Sequence, residues 1–386
     1  MASRSNHLEI QNKNVLLRLD LNVPMFEGKI LSDFRISKSV PTIKNLLSNN
    51  NKVIILSHFG RPKEGQQDDS LSLKIIINIL EKLVGERVTF SQDWINGIDF
   101  NGNNIVLCEN VRFQEGEKEN SQALAKKISA LGDVFVFDAF GVSHRKEAST
   151  YGISNYLDSY PGDLLCNEIL NANKLLSSQK RPMTTIISGA KISTKLTLIK
   201  KLMFKTDNII LGGGILNTFL MAMNHEVGGS LVEKSFIEEA RDILNSSEFK
   251  KIVMPLDVTV SSTPELDKPE NKDIFMVQSK DKILDIGEKT IDHYIKVIAE
   301  SSIIFWNGPL GYVEKSPFDK GTIKISQAIA SSNAYSVVGG GDTIPIIESL
   351  NLQDEFSCLS TGGGSLLKFI EGEDLPILNK LGMYKL

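Results

Sequence analysis

The chain has 386 residues, of which 41% are hydrophobic, and a formal net charge of -4. Single cores stop growing at roughly 250–300 residues, so this length predicts two domains of about 150 to 200 residues each. The small negative charge argues against a nucleic-acid or anionic-membrane partner, since those partners need a broad basic surface. The three cysteines are widely spaced, which predicts reduced thiols in a cytoplasmic protein and no structural zinc. No apolar run is long enough to span a membrane, and no hydrophobic stretch behind the first residues predicts a signal peptide.

The first half of the sequence alternates apolar runs rich in Ile and Val with segments of helical period. This alternation is typical of βα units around a parallel sheet. Four of the runs end in polar side chains that can reach a ligand, and these runs are residues 15–19, 53–56, 105–108 and 134–137. Because open α/β sheets bind ligands outside the carboxyl ends of their strands, we expect these polar residues to line one site.

The side chains that follow these runs are mainly cationic. They are Arg35, His58, Arg61, Arg112 and Arg145, with Asp20 and Asn22 beside them, and we call these seven residues the basket. Planar guanidinium groups bind phosphate and carboxylate bidentately, so the basket suits a small molecule that carries both groups. We interpret Arg18 as a structural ion-pair partner of Asp20, and His144 as a loop or capping residue.

A helix is predicted at residues 164–176, between the two halves of the chain. Its apolar spacing is helical, Asp163 can cap its amino terminus, and Arg181-Pro182 ends the segment. We interpret it as a helix that joins two domains.

The second half repeats the βα pattern. Its predicted strands are residues 184–187, 208–211, 251–255, 302–306 and 335–338. A polar, proline-containing stretch at 261–282 interrupts the pattern and is expected to be a surface excursion.

Four glycine-rich runs also mark the second half, and most of them follow a predicted strand. They lie at residues 212–214, 308–311, 339–341 and 362–364. Glycine lets the backbone approach a phosphate closely, and helix amino termini offer unpaired N–H groups. Since neither a P-loop nor a dinucleotide-binding fingerprint is present, the repetition predicts a nucleotide site of another kind.

Three side chains in the second half can contribute charge at that site. Asp342 ends a glycine run and is a predicted partner for Mg²⁺, which prefers a few carboxylates plus phosphate oxygens. Lys191 and Lys195 lie four residues apart at a predicted helix start and can point at anionic oxygen, although a solvated helix face is the alternative.

Two other classes of protein share part of this pattern. An NAD-dependent dehydrogenase would need the missing fingerprint and a catalytic acid or base. A non-catalytic sensor of a phosphorylated metabolite would keep the basket but does not require Lys191 or Asp342. Because both residues are present, catalysis is favoured.

The sequence resembles the phosphoglycerate kinase family over nearly its whole length. The motifs that carry the resemblance are RLDLNVP (18–24), HFGRP (58–62), ENVRF (109–113), DAFG (138–141), GAK (189–191), GGG (212–214), WNGP (306–309), GGGDT (339–343) and STGGG (360–364). The resemblance implies two Rossmann-like α/β domains with parallel sheets, which face each other across a cleft and are joined by an interdomain helix. It implies a substrate domain at 1–162, the helix at 163–180, a nucleotide domain at 181–370 and a tail at 371–386 that returns to the first domain.

Residue by residue, the resemblance assigns the whole basket to 3-phosphoglycerate. It assigns the nucleotide to Lys191, Lys195, Gly212, Gly213, Asn307, Glu314, Gly340, Gly341, Asp342 and Thr343, with Glu314 on the ribose and Asp342 near Mg²⁺. The implied reaction is in-line phosphoryl transfer between 1,3-bisphosphoglycerate and ADP, giving 3-phosphoglycerate and ATP in a closed cleft of a monomer. Arg35 and Lys191 are the expected catalytic groups. Departures from the family pattern at Ser188, Val142-Ser143 and Tyr312-Val313 remove none of the matched ligand-binding residues.

Overall fold

The computed structural model describes residues 10–263 and 269–383. These residues form two compact units. The first unit takes in the chain up to Asn173 together with the residues from Gly364 on, and the second comprises Lys174–Gly363. The chain therefore returns to the first unit after it has completed the second. Within the described ranges, no helix is long and apolar enough to cross a membrane.

The strands are numbered in chain order. They are β1 (Asn14–Leu19), β2 (Met25–Phe26), β3 (Lys29–Ile30), β4 (Lys52–Leu56), β5 (Val88–Ser91), β6 (Ile105–Cys108), β7 (Val134–Asp138), β8 (Ser159–Pro161), β9 (Met183–Ser188), β10 (Asn208–Gly212), β11 (Ile252–Val253), β12 (Asp257–Ser261), β13 (Glu270–Asp273), β14 (Lys282–Ile286), β15 (Ile303–Asn307), β16 (Tyr335–Gly339) and β17 (Cys358–Ser360).

The α-helices are numbered in the same way. They are α1 (Phe34–Ser48), α2 (Ile77–Val84), α3 (Gln122–Ser129), α4 (Asp163–Ser177), α5 (Leu196–Met203), α6 (Gly213–Ala222), α7 (Ile237–Leu244), α8 (Glu288–Ala299), α9 (Lys320–Ala330), α10 (Ile344–Ser349), α11 (Gly364–Glu371) and α12 (Pro376–Lys380).

The first unit is built on a six-stranded parallel sheet with the strand order β5-β6-β4-β1-β7-β8. The four apolar runs found in the sequence form its central strands. In β1 every residue after Asn14 is buried, as expected for a parallel strand covered on both faces. Because β6, β4, β1 and β7 are consecutive neighbours, the loops at their carboxyl ends lie side by side.

The second unit repeats this arrangement with the parallel order β11-β10-β9-β15-β16-β17. All six residues of β9 are buried. A small antiparallel sheet with the order β13-β12-β14 is added to this unit. Two Rossmann-like α/β units with parallel sheets confirm the predicted fold class.

The sequence did not predict three of the four edge strands of the two parallel sheets. β5, β8 and β17 are three or four residues long and carry polar residues, so they lack the long apolar run that marks a central strand. The predicted strand at 251–255 is reduced to β11, because Pro255 cannot donate to a ladder. The stretch at 261–282 is more than a surface excursion, since it contains β13 and reaches the ends of β12 and β14; residues 264–268 of it lie outside the described residues.

The start of α4 also differs from the prediction. The helix begins at Asp163, which therefore lies in the first turn rather than at the cap. A carboxylate from the end of β7 also binds this turn, since Asp138 Oδ1 accepts the backbone N–H of Leu165 at 2.7 Å. Thr42 donates to the other oxygen of Asp138 at 2.5 Å. A tertiary contact that the sequence did not predict thus supports the start of the helix.

Candidate functional site

The predicted basket assembles at the carboxyl edge of the sheet in the first unit. Asp20 and Asn22 follow β1, His58 and Arg61 follow β4, Arg112 follows β6, Arg145 follows β7, and Arg35 lies in the first turn of α1. Hydrogen bonds tie neighbouring loops together, since Ser57 Oγ accepts the Leu21 N–H at 2.9 Å and Asn22 Oδ1 accepts the Gly60 N–H at 2.8 Å. Four adjacent strands thereby present one continuous polar surface.

Asp20 anchors the catalytic candidate Arg35. The Arg35 guanidinium donates to Asp20 Oδ2, and the side chain of Asp20 is only 6% exposed against 25% for Arg35. Burial acts to raise the pKa of Asp20, but the charges of Arg35 and Arg18 and the Asn22 N–H outweigh it and hold that pKa below its usual value. The carboxylate therefore stays ionised and fixes one side of the guanidinium, while the rest of the group remains partly open to solvent.

His58 contributes to the basket as a neutral ring. Burial holds the pKa of His58 well below its usual range, and the nearby positive charges of Arg18, Arg112 and Arg145 act in the same direction against Asp20. His58 Nδ1 lies 3.5 Å from Arg18 Nη2 and 3.8 Å from Asp20 Oδ1, so the ring is placed between a guanidinium and a carboxylate. At neutral pH the basket thus has a neutral imidazole at this position, beside its guanidinium groups.

The remaining arginines differ in how far they are buried. Arg61 is exposed, Arg145 is 36% exposed at its side chain, and Arg112 only 3%. Arg112 Nη1 donates to the Gly60 carbonyl at 2.8 Å, and Arg112 and Arg145 both contact Glu147. Glu147 was not predicted to belong to the site, and its one sequence signal is that it lies two residues after Arg145.

Arg18 is completely buried, but the predicted ion pair with Asp20 is wrong, since Asp20 binds Arg35 and the contacts of Arg18 are with Ser149, Leu19 and His58. Its Nε donates to Ser149 Oγ at 3.0 Å, and Ser149 Oγ in turn donates to Glu117 Oε1 at 2.5 Å. Burial raises the pKa of Glu117 to about 7, although the bond from Ser149 and the charge of Arg18 oppose the rise. A carboxyl group that titrates near neutral pH therefore lies among the buried residues that are hydrogen-bonded to each other next to the basket.

This carboxyl predicts a pH-dependent stability that a single substitution removes. The pKa of a glutamate side chain is 4.5 in water, and that of Glu117 is about 7 in the folded chain. Between these pH values the folded state holds a proton that the unfolded state lacks, so the free energy of unfolding falls as pH rises through the window. We expect Glu117→Gln to remove on the order of 3 kcal/mol of this fall.

The measurement uses the two tryptophans, Trp94 in the first unit and Trp306 in the second. In a Trp306→Phe background, urea unfolding followed by Trp94 fluorescence reports on the unit that contains Glu117. Stability curves of Glu117→Gln and its parent are compared at about pH 5 and pH 7.5, with the exposed Glu119→Gln as the control. Parallel pH profiles for Glu117→Gln and the parent would contradict the prediction.

His144 connects the loop after β7 to the carboxyl-terminal part of the first unit. Its Nδ1 lies 2.6 Å from Ser365 Oγ in the first turn of α11, and Arg145 Nε lies 3.4 Å from its Nε2. Burial lowers the pKa of His144, and Arg145 and Lys368 add to this effect. These contacts agree with a loop residue rather than a catalyst.

The second unit contains a cavity of about 680 Å³ at the carboxyl edge of its parallel sheet. Three of the predicted nucleotide residues line it, namely Gly213, Glu314 and Asp342. The glycine backbone of the loop after β9, at Gly189, also faces the cavity. Glu314 and Asp342 are exposed, so their carboxylates are accessible to a ligand.

The two lysines lie before α5 rather than on it. Lys191 is exposed and precedes a 3-10 turn at Ile192–Thr194, whereas Lys195 follows this turn and is half-buried. Lys195 Nζ donates to the carbonyl of Ser188 and lies 3.3 Å from the carbonyl of Asn307. Burial lowers the pKa of Lys195 to about 8, with Asp342 opposing the change, so the ammonium group remains mainly charged at neutral pH.

Three further predicted residues form a cluster at the ends of β15 and β16. Asn307 Nδ2 donates to the Gly339 carbonyl at 2.6 Å, and a Cβ placed at Gly340 would lie 3.4 Å from both Asn307 Nδ2 and Thr343 Oγ1. Thr343 Oγ1 is buried and has no hydrogen-bond partner within the described part of the chain. The cluster therefore holds an unused hydroxyl donor close to a backbone that lacks side chains.

The other two glycines differ in their surroundings. Gly212 is buried, and a Cβ there would lie 2.6 Å from side-chain atoms of Leu310 and Ser188, so packing alone requires glycine at this position. Gly341 is exposed, and a Cβ there would meet nothing within 4 Å. Direct contact of either residue with a nucleotide stays a prediction.

Much of the cavity lining was not predicted from the sequence. These residues come from the loop before α7, from β14 and from the loop after β15: Leu231, Val232, Lys282, Ile283, Leu284, Pro309 and Tyr312. Most of them are apolar, so they supply a surface for a flat, weakly polar group. β14 begins at the last residue of the stretch that was interpreted as a surface excursion, and its Ile283 N–H and Leu284 carbonyl bind Ser230 and Tyr312 of the other lining loops.

One parallel sheet carries the guanidinium basket, and the other carries a glycine-lined cavity with a lysine and exposed carboxylates. These two features define a class of protein: a two-unit phosphotransferase for small anionic substrates. The family model described as phosphoglycerate kinase matches residues 5–373. The chain therefore belongs to the phosphoglycerate kinase family.

The relatives and solved structures agree with this placement. Phosphoglycerate kinase of Baumannia cicadellinicola subsp. Homalodisca coagulata is 45% identical over 383 residues and matches 98% of each chain. The solved structure of phosphoglycerate kinase from Coxiella burnetii superimposes with a TM-score of 0.84 at 39% identity, covering 100% of this chain and 99% of that one. Phosphoglycerate kinase from Pyrococcus horikoshii OT3 gives a TM-score of 0.85 at 29% identity, covering 97% and 96%.

Membership of this family fixes the reaction class. The enzyme is a glycolytic kinase that transfers a phosphoryl group between 1,3-bisphosphoglycerate and ADP, giving 3-phosphoglycerate and ATP. The alternatives of a nicotinamide-dependent dehydrogenase and of a non-catalytic sensor are thereby discarded.

Proposed function

We propose that the first unit binds the acid substrate through the basket and that the second unit binds ATP or ADP through its cavity. One observation carries this division of labour: the two predicted sets of ligand-binding residues lie at the carboxyl edges of two different parallel sheets. On this basis we assign residues 1–162 to the substrate domain, 163–180 to the joining helix, 181–370 to the nucleotide domain and 371–386 to the tail, although the residues from Gly364 on belong to the first unit.

Calorimetry with each ligand alone tests the division, beside a coupled assay of ATP formation from 1,3-bisphosphoglycerate. Arg145→Ala is expected to weaken binding of 3-phosphoglycerate and leave the nucleotide unaffected, whereas Glu314→Gln is expected to do the reverse. Both variants weakening the same ligand would contradict the assignment of the two sites.

The proposed mechanism depends on position and charge rather than on covalent help. The acyl phosphate lies in the basket and the nucleotide in the cavity, and the phosphoryl group passes in line between them. Arg35 from one side and Lys191 from the other neutralise the charge of the group in transit. No general base is needed, since the attacking oxygen belongs to a carboxylate or to a terminal phosphate that is already ionised at neutral pH.

The residues present fit a Mg²⁺ ion that arrives with the nucleotide. No cluster of three or more metal-ligating side chains exists in the described ranges, and Asp342, exposed on the cavity wall, is the carboxylate assigned to the ion. Mg²⁺ is commonly held by one or two carboxylates with phosphate oxygens and water. When bound, the ion would neutralise charge on the phosphate oxygens.

Asp342→Asn is expected to weaken binding of Mg-nucleotide by roughly 10-fold or more while 3-phosphoglycerate affinity stays nearly unchanged. The reason is that metal and acid substrate are assigned to different units. Titration calorimetry with each ligand separately checks the result, and Asp354→Asn on an exposed turn of the same unit is the control. Equal losses for both ligands would mean that the proposed division is wrong.

We also propose that transfer takes place in a closed interdomain cleft. The two substrates are assigned to separate units, and water must be kept from the acyl phosphate, so contacts from both ligands are needed to favour closure. Small-angle scattering is expected to show the radius of gyration falling mainly in the ternary complex with Mg²⁺. An unliganded protein as compact as the ternary complex would contradict this gating.

Finally, we propose a cytoplasmic monomer without a nucleic-acid or membrane partner. The net charge of -4 and the three free cysteines support this proposal. Light scattering coupled to size-exclusion chromatography is expected to give the mass of one chain, and the mass of a dimer would contradict it.

A further inference from the structure

We propose that Glu147 is a positioning residue for the acid substrate. Its buried carboxylate holds Arg112 and Arg145, the two basket arginines that follow β6 and β7, in the orientation that receives an anionic oxygen. The inference rests on the proposed assignment of these two arginines to 3-phosphoglycerate. It adds a residue that the basket predicted from the sequence does not contain.

One oxygen of Glu147 bridges the two arginines. Glu147 Oε1 lies 3.3 Å from Arg112 Nη2 and 3.2 Å from Arg145 Nη1. The side chain of Glu147 is 6% exposed, that of Arg112 3% and that of Arg145 36%. The carboxylate therefore connects a fully enclosed guanidinium to one that remains open to a ligand.

The bridge offsets a repulsion that the fold creates. Arg112 is held at its other end by the bond from Nη1 to the Gly60 carbonyl, so it cannot move away from Arg145 without breaking that contact. Two guanidinium groups this close together, one of them buried, repel each other unless an anion lies between them. Glu147 supplies that anion before the substrate arrives, which reduces the cost of assembling the site.

Glu147 is itself held firmly. Its N–H donates to Thr150 Oγ1 at 3.1 Å, and the turn that follows it is fixed to Glu117. The N–H groups of Ala148 and Ser149 donate to the carbonyl and to Oε2 of Glu117, both at 2.9 Å. A chain of support thus runs from Glu117 through the turn to Glu147 and on to the two arginines, as a preorganised binding site requires.

A substitution at a positioning residue changes the KM of the acid substrate alone, whereas a substitution that only disturbs the fold changes the KM of both substrates. We expect Glu147→Ala to raise the KM for 3-phosphoglycerate roughly 10- to 100-fold, with the KM for ATP unchanged within about threefold. Glu147→Gln keeps an oxygen that accepts from both arginines but loses the negative charge, so its KM for 3-phosphoglycerate is expected to lie between the values of the wild type and of Glu147→Ala. Glu119→Gln, an exposed change of the same kind, is the control.

Three results would overturn the proposal. The first is an unchanged KM for 3-phosphoglycerate in Glu147→Ala. The second is a lower KM for 3-phosphoglycerate in the same variant, which would mean that the carboxylate competes with the substrate for the arginines. The third is that each variant, Glu147→Ala and Glu147→Gln, raises the KM for 3-phosphoglycerate and the KM for ATP by the same factor, which would assign the effect to the fold. Because Gln preserves the hydrogen bonds, it keeps the test open even where Ala reduces the yield of folded protein.

Arg145→Ala, alone and combined with Glu147→Ala, separates this inference from the proposed function. If Glu147 acts through Arg145, the effects of the two substitutions on the KM for 3-phosphoglycerate are expected to be clearly less than multiplicative. An unchanged KM in Arg145→Ala would refute the site assignment and the inference together. A raised KM in Arg145→Ala with no effect of Glu147→Ala would refute the inference alone.

Discussion

Replacing Arg35 by alanine is expected to lower kcat by roughly 10²- to 10³-fold while the KM for 3-phosphoglycerate changes little. Arg35 is proposed to meet the charge of the phosphoryl group in transit rather than the resting substrate, and an interaction made only in the transition state affects kcat. Its geometry suits this role, because Asp20 fixes one side of the guanidinium and the rest stays partly exposed.

Two further variants make this test specific. Arg35→Lys keeps a positive charge but loses the planar fork, so it is expected to recover only part of the rate. Lys38→Ala removes an exposed cation from the same helix and is expected to leave kcat unchanged. Thermal unfolding must accompany the kinetics, because Asp20 is buried and loses its main ion-pair partner. A wild-type kcat with a raised KM would make Arg35 a plain substrate ligand.

Gly308→Ala is expected to destabilise the second unit by ~3 kcal/mol or more. Gly308 has a φ of +97°, which disfavours any side chain, and a Cβ there would overlap the carbonyl of Ser188 at the end of the adjacent strand β9. That carbonyl also accepts from Lys195 Nζ, so it cannot yield without disturbing the lysine. The strain is therefore expected to weaken nucleotide binding as well as stability.

Gly85→Ala provides the matched comparison in the first unit. Gly85 has a similar φ of +87°, but a Cβ there would meet nothing within 4 Å, so only the backbone cost of about 1 kcal/mol is expected. Urea unfolding measures each loss in its own unit, by Trp306 fluorescence in a Trp94→Phe background for Gly308 and by Trp94 fluorescence in a Trp306→Phe background for Gly85. A cost for Gly308→Ala no larger than that for Gly85→Ala would show that the Ser188 carbonyl imposes no constraint.

The sequence by itself determined the central strands and the places where the predicted ligand-binding residues follow them. This was possible because a buried parallel strand is a continuous apolar run, and the first polar residues after it must lie at the carboxyl edge of the sheet. Arg145 and Asp342 were located in this way, and the glycine run that contains Gly213 indicated the cavity wall. Local sequence carries such information because strand, turn and loop are consecutive in the chain.

Only the tertiary structure decided which of these residues are enclosed, which are charged and what supports them. His58 is neutral because burial and three arginines from distant segments act on one ring. Glu147 bridges Arg112 and Arg145 only because β6 and β7 are parts of one sheet, and β14 reaches the cavity through bonds to Ser230 and Tyr312, which are distant in the chain. Desolvation and Coulomb interactions depend on distances in space, and residues far apart in the chain can lie close together in the fold. No local pattern in the sequence can therefore encode these interactions.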